Sequence, residues 1–423
     1  MSLSALISLA WASLWNRRAS ALLTITAVAV SVMLFLGVDK LKTSSEESFQ
    51  QTITGTDMIV GARTSPVSLV MFTVFHIGDP AAGMTWESYE WLQSRSDIEW
   101  TVPISLGDSH DGYRVVGTDQ SFFEHYQFRD RQNVSFADGV PFDDLYDVVV
   151  GADVAAEKGY AVGDEIELSH GTGPVSFQDH SDRPFTITGI LEATGTPVDE
   201  SVLVSLLAIE AIHVGWQSGA PSPLANMMTA DDVRQLNLRP HIISSALVGL
   251  NDRRSTLNTM RAINTYSQEA LVGAPPAQAI AEVWELVGVA GNALMAVSAF
   301  VILVGLVSIL TSILTSLRER RREMAVLRAI GAGPAQIMTL LISEAVLLAA
   351  TGAAFGIALV YLASALAAPI FEARFGIALA GTYPGMTDLK VFLAVIVTAG
   401  VLGLIPAIQA LKNSLADGLS IKL

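Results

Sequence analysis

The chain has no cysteine in 423 residues, so a disulfide framework and any Cys-ligated zinc or redox centre are excluded. Charge is scarce as well. Asp, Glu, Lys and Arg make up 16% of the chain, and 25 basic against 41 acidic residues leave a net −16. Nucleic-acid binding needs Lys and Arg clustered on phosphates, which this balance disfavours. A phosphate-cradling loop requires G-x-x-x-x-G-K-[ST], yet no Gly-Lys pair occurs anywhere. G-x-S-x-G, H-x-H and H-E-x-x-H are also missing, so the usual markers of a serine hydrolase or zinc protease are absent. Ser68 lies near His76 in sequence, but no Ser-His-Asp set follows from the spacing. No repeat of fixed period is present.

What is abundant is apolar: 51% of residues are hydrophobic, and they come in long blocks rather than in alternation. Residues 19–38 carry no charge, and at about 1.5 Å per residue they cover the ~30 Å hydrocarbon core of a bilayer. A second uncharged run, Leu286 to Leu317, is too long for one bilayer thickness, so its N-terminal part is expected to leave the membrane as a stalk. A third block covers 336–368 and is interrupted by Glu344; the fourth covers 391–411 and contains Pro406, read as a tolerated kink. The expected organisation is an N-terminal segment 1–18, spans at 19–38, 285–317 (stalk included), 336–368 and 391–411, an external domain 39–284, a cytoplasmic segment 318–335, a short external loop 369–390 and a tail 412–423.

Basic residues orient the spans. Arg17, Arg18, Arg318, Arg320, Arg321, Arg322, Arg328, Lys412 and Lys422 share one side with only Glu319, Glu323 and Asp417. That side carries +6, which leaves −22 for the remainder of the net −16. Both termini and the Arg-rich segment are therefore expected in the cytoplasm, with 39–284 outside. The first apolar run ends in Gly37-Val38-Asp39, a poor cleavage site, so it reads as a retained span rather than a signal peptide. Ahead of it, Leu6, Leu9, Trp11, Leu14 and Trp15 form either an interfacial helix on the inner leaflet or a plain extension of the first span.

Between the first two spans the pattern is mixed α+β. Asp39 to Gln51 is charged and Ser-rich, with Leu41, Phe49 and Ile53 as apolar anchors, and reads as an outward continuation of the first helix. Strands are expected at 57–62, 113–117, 147–151, 163–168, 185–191 and 201–205, a short helix at 151–159 and a helix over 252–271. Breaks at Gly171–Pro174 and Gly219–Pro223 mark loops.

Leu317-Arg-Glu-Arg-Arg-Arg-Glu-Met-Ala-Val-Leu-Arg-Ala-Ile-Gly-Ala resembles the signature of the MacB/FtsX-like permease family, the type VII ABC transporters, which include the lipoprotein-releasing LolC and LolE permeases. The C-terminal Ile405-Pro-Ala-Ile-Gln-Ala-Leu-Lys-Asn-Ser-Leu-Ala-Asp-Gly-Leu resembles that family's ending. Val148-Val-Val-Gly-Ala-Asp-Val-Ala, Gly163-Asp-Glu-Ile and Phe185-Thr-Ile-Thr-Gly-Ile-Leu resemble its MacB-type periplasmic core. The resemblance spans nearly the whole chain and is weakest over 60–140. It implies a membrane protein with four transmembrane helices and a large α+β extracytoplasmic domain between the first and second.

It also implies a function: a permease subunit of an inner-membrane ABC transporter of the mechanotransmission type. ATP and Mg would be bound by a separate ATPase chain, with no cofactor here. Expected partners are that ATPase, a second permease copy, membrane lipids and a periplasmic protein or lipoprotein; nucleic acid is excluded. The resemblance assigns ATPase coupling to Arg318, Arg320, Arg321, Glu323, Met324, Ala325, Leu327, Arg328 and Gly331. Read as a helix, Leu317, Met324, Leu327 and Ile330 form an apolar stripe that suits a groove in another protein. The competing reading is five Arg as ordinary membrane-edge anchors. Alternatives for the whole chain are an FtsX-like regulator that transports nothing and a metal-related permease.

Other residues are read from their chemistry. Glu344 is a carboxylate inside a span, either an interhelical hydrogen-bonding group or an ion site. Gly352-x-x-x-Gly356 offers a small-residue face for packing within the chain or between copies. All seven His (76, 110, 125, 170, 180, 213, 241) fall in the external domain. Asp108-Ser-His110-Asp111 and Asp179-His-Ser-Asp182 hold metal-type ligands, but solvated loop residues are the simpler expectation.

Overall fold

The computed structural model describes residues 15, 17–170, 184–214, 229–319, 328, 331–375 and 384–417. It divides into two compact units, one of residues 1–45, 287–371 and 379–423, the other of 46–286 with 372–378.

Four helices among the described residues are long and apolar enough to cross a membrane. Helix α1 is Arg18–Gln51, so the charged stretch after Val38 stays helical. The helix carrying the second span is Pro276–Glu319. It begins ten residues before the uncharged run, because Pro276 suits a first helical turn and the solvated Glu282 and Glu285 do not interrupt a backbone ladder. The third is Pro334–Phe375 and the fourth Met386–Asp417. Helix therefore occupies part of the expected loop 369–390 and of the expected tail after 411, since hydropathy ends before the hydrogen bonding does. Most of segment 1–18 and residues 320–327 lie outside the described residues.

In the membrane unit the first helix sits between two others. A Cβ on Gly356 would lie 2.6 Å from the Ala29 carbonyl oxygen and 2.9 Å from the Val32 Cβ. One on Gly352 would meet the Val28 Cβ at 2.7 Å, and one on Gly305 the Ser31 hydroxyl at 2.8 Å. Small residues admit this backbone approach, which dispersion then stabilises where no hydrophobic drive exists between helices in lipid. Val28, Val32, Leu36, Leu306, Ile309, Leu341 and Leu348 are buried around these contacts.

The second unit is built on one mixed sheet. Its strands are β1 (Met58–Ala62), β2 (Ile98–His110), β3 (Tyr113–Thr118), β4 (Phe136–Gly139), β5 (Asp147–Val150), β6 (Glu165–Ile166), β7 (Ser169–His170), β8 (Phe185–Leu191), β9 (Ser201–Ser205), β10 (Ser245–Leu250) and β11 (Leu271–Ala274). The order is β11-β1-β10-β2-β3-β9-β5-β8-β4, with β7 beside β2 and β6 beside β8. Pairs β3/β9 and β5/β8 are parallel; the other ladders are antiparallel.

Both faces are covered. Ile59, Val102, Leu247, Val116 and Leu203 enter one cluster. On the opposite face Val148, Val150, Val202 and Ile187 form a second cluster, and Met58, Val60, Ala246 and Val248 a third. Strands buried on both faces read as continuous apolar runs rather than alternating ones, as in Met58-Ile59-Val60 and Val148-Val149-Val150.

Two expected elements differ. The helix over 252–271 is only Thr256–Asn264, and Leu271 opens β11. Within 163–168 the strand is only Glu165–Ile166. Replacing Gly356 by Val should cost about 1–3 kcal/mol by overpacking against Ala29. Thermal unfolding of the chain in nanodiscs checks this, and an unchanged melting temperature contradicts the close approach of these two helices.

Candidate functional site

The segment assigned to ATPase coupling joins α9 (Pro276–Glu319) to α10 (Pro334–Phe375), the intervening helices α2 to α8 being Pro66–Val74, Trp86–Gln93, Ser121–His125, Ala152–Lys158, Leu206–Ile212, Ala230–Arg234 and Thr256–Asn264. Arg318 falls in the last turn of α9. Arg320, Arg321, Glu323, Met324, Ala325 and Leu327 lie outside the described residues. Arg328 is helical and exposed. Gly331 has φ +97 and donates its N–H to the Arg328 carbonyl at 3.0 Å, so a left-handed residue closes this turn as a C-terminal glycine does. Gly333 donates to the Gln336 side chain at 3.1 Å, capping the start of α10.

Among the intramembrane residues, Glu344 is 3% exposed. Gly352 and Gly356 face α1. Sequence reasoning passed over another polar set in this unit. Asp388, in the first turn of α11 (Met386–Asp417), is buried and accepts from the Tyr361 hydroxyl at 2.6 Å and the Gly385 N–H at 2.7 Å. The Lys40 ammonium lies 4.4 Å from the centroid of the Tyr361 ring. Three helices are thereby tied by one polar cluster, and an acid three residues after Gly385 was the available signal.

In the α+β unit the histidines divide between engaged and exposed residues. His110 is buried, with Nδ1 2.6 Å from the Glu167 carbonyl and Nε2 2.8 Å from the Tyr160 hydroxyl. Both ring nitrogens are thus engaged, which leaves no lone pair for a metal. The ring of His125 stacks on Trp100 at 4.7 Å, while His213 and His241 are exposed. His180 lies outside the described residues, as do Asp179 and Asp182. Among the described residues no group of three or more His, Asp or Glu is placed to hold a metal ion.

His76 follows α2 with φ +53, an uncommon conformation for a residue with a Cβ. Arg114 on β3 holds the turn: one guanidinium nitrogen is 2.6 Å from Asp79, and the other donates to the carbonyls of Gly78 (2.8 Å) and His76 (3.3 Å). Ser201 gives its hydroxyl proton to the Pro197 carbonyl at 2.7 Å. His76 Nδ1, 3.0 Å from Ser201 Oγ, must therefore be the donor in that pair, which leaves Nε2 as the acceptor. Burial first, and then the Arg114 charge, lower the His76 pKa to about 4. Ser68 takes no part, bonding instead to Ser65 at the start of α2.

A cavity of about 290 Å³ opens beside this turn, walled by Phe75, His76, Ile77, Tyr113, Arg114 and Glu200 among others. Its position depends on the β2/β3 hairpin, whose two-residue Asp111-Gly112 loop has φ +49 and +91. That dipeptide is a strong hairpin signal and would have located β2 from sequence. On the other side of Phe75 its ring stacks on Phe49 at 4.8 Å, and Phe49 meets Trp284 at 5.8 Å. Residues of α1 and α9 thus share one aromatic cluster with Phe75, the C-cap of α2.

These features define a class: a membrane protein of four spanning helices with a mixed α+β domain inserted after the first. The MacB-like periplasmic core domain model matches residues 21–280, and the FtsX-like permease C-terminal model matches residues 295–415. The chain belongs to the MacB/FtsX-like permease family of ABC transporters. Two solved structures are similar to it. One is the periplasmic region of MacB from Actinobacillus actinomycetemcomitans, at 9% identity and TM-score 0.34, covering 55% of this chain and 94% of that one. The other is the extracellular domain of the ABC-type transporter YknZ from Gram-positive bacteria, at 12% and 0.29, covering 52% and 98%. No curated protein matches the chain.

The His76 environment yields a pH prediction. Its folded pKa of about 4 lies below the ordinary 6.5, so the unfolded chain binds a proton that the folded one refuses. This contribution is fully present above pH 6.5 and is lost as pH falls toward 4, at a cost on the order of 3 kcal/mol. Melting curves of wild type and His76→Gln at pH 7 and pH 4 should converge at the acid end. Parallel profiles would contradict a neutral His76.

Proposed function

We propose that this chain is the permease subunit of a mechanotransmission ABC transporter. ATP and Mg are bound by a separate ATPase, which docks on residues 318–333, and the resulting motion drives the periplasmic domain to act on an exported or outer-membrane-directed substrate. Members of the family work with ABC ATPase partners. The observation that carries this reading is the unbroken helix Pro276–Glu319, about 66 Å long at 1.5 Å per residue. Its residues up to 286 count with the α+β unit and those from 287 with the membrane unit, and α1 likewise contributes to both. An unbroken helix is the connection that such a motion requires, since a hinge would absorb it.

The orientation follows from charge: cytoplasmic termini, with the Arg-rich segment on the same side. A face for a second permease copy is offered by exposed apolar side chains along α9. Val289, Val297, Phe300, Val304 and Val307 form an exposed stripe at helical spacing along it.

In this reading Met324 and Leu327 are apolar knobs of the docking segment. Met324→Asp combined with Leu327→Asp places two charges in that contact. It should abolish co-purification of the ATPase and ATP-dependent activity while leaving membrane insertion and the melting temperature of the chain intact. Normal ATPase association with normal ATP-dependent activity in the double variant would refute the coupling role.

A further inference from the structure

We infer that the cavity beside His76 is a binding site for the lysine side chain of a peptide, and that its occupancy is passed to the stalk portions of α1 and α9 through Phe75. The walls match an ammonium group on an alkyl chain. Phe75 and Ile77 supply apolar surface, and Tyr113 adds an aromatic ring that already has the Lys158 ammonium 5.8 Å from its centroid. Glu200, exposed at the rim, makes no hydrogen bond or ion pair among the described residues, so its carboxylate is available to a cation.

His76 supplies an acceptor rather than a charge. Its Nδ1 is committed to Ser201, Nε2 has no partner among the described residues, and burial keeps the ring neutral at physiological pH. Arg114 does not oppose a cation strongly, because Asp79 at 2.6 Å neutralises its charge, while its second terminal nitrogen donates to two carbonyls. Around the rim the field is negative: Glu157 and Glu200 raise the Tyr113 pKa after burial, and Asp199, Glu200 and Glu157 do the same for Asp153. Lys158 is paired with Asp111 at 2.8 Å. The cavity, about 290 Å³, sits at the low end of the usual range for ligand sites, which suits a side chain better than a whole large ligand.

The link to the stalks is geometric. Phe75 walls the cavity and also stacks on Phe49 of α1, which in turn meets Trp284 of α9. The Trp284 Nε1–H is buried without a hydrogen-bond partner, a group whose environment would change if this cluster repacked. A side chain filling the cavity contacts Phe75, and close-packed aromatic rings transmit strain to their neighbours.

The test uses the full-length chain in nanodiscs without its ATPase, so it succeeds or fails independently of the coupling reading above. Acetyl-Lys-Leu-amide, acetyl-norleucyl-Leu-amide and acetyl-Glu-Leu-amide are titrated by calorimetry. The lysine peptide should bind best. Glu200→Gln should weaken it about three- to five-fold and His76→Phe about tenfold. Equal affinity for the three peptides, no saturable binding of the lysine peptide below about 10 mM, or an unchanged Kd in Glu200→Gln would overturn the site. Because the chain has no cysteine, Glu47→Cys with Glu282→Cys gives one spin-label pair on exposed positions of the two stalks. The lysine peptide should shift their distance distribution, and Phe49→Leu should remove the shift while keeping the affinity. A distribution that ignores bound peptide would overturn the transmission.

Discussion

The hydrogen-bond ladder of α9 runs from Pro276 to Glu319 without a break, and much of the molecule depends on that continuity. In lipid a backbone must satisfy its own donors and acceptors, so the spanning part has to be helical. Outside lipid nothing forces the ladder to stop, and here it continues through Glu282 and Glu285 to Pro276. The same holds for α1, which stays helical through the charged stretch to Gln51. These extensions give both compact units a share in the same two helices.

Close backbone approach does the corresponding work in the membrane unit. Gly352, Gly356 and Gly305 let α10 and α9 come against α1 at distances that a Cβ would obstruct, so α1 is held from two sides. The Asp388–Tyr361 hydrogen bond, with Lys40 over the ring, adds α11 to the set. In the α+β unit the sheet is buried on both faces. The aromatic cluster of Phe49, Phe75 and Trp284 is where residues of the long helices meet that core.

What sequence reading reached and what it missed divide along a physical line. The spans were legible because hydropathy over twenty residues is a local, additive signal. The strands at 58–62, 113–118, 147–150, 185–191 and 201–205 were legible because each is a short β-branched run bounded by Gly or a charged residue. Strand β2 was missed although it is 13 residues long, since Pro103 and Gly107 interrupt the pattern. The interruptions are tolerated because the ladder changes partner there: β10 pairs with its first half, β3 with its second, and a register shift separates Leu106 from Ser109. Strand β10 was missed because it is buried throughout and so shows no alternation. The extra helical turns at 276–285 were missed because they are partly exposed and their polarity is that of a solvated helix.

By itself the sequence determined the membrane character, the number and order of spans, the inserted α+β domain and the family signature, because each is written in contiguous residues. Only the tertiary structure decided which small residues face α1, that His110 is buried and His76 hydrogen-bonded to Ser201, and that Phe75, Arg114 and Glu200 wall one cavity. Phe75 and Glu200 lie 125 positions apart (200 − 75) with Arg114 between them. They meet only because β3 and β9 pair in parallel, and a parallel pairing reached by a long crossover leaves no periodic trace in the chain that makes it.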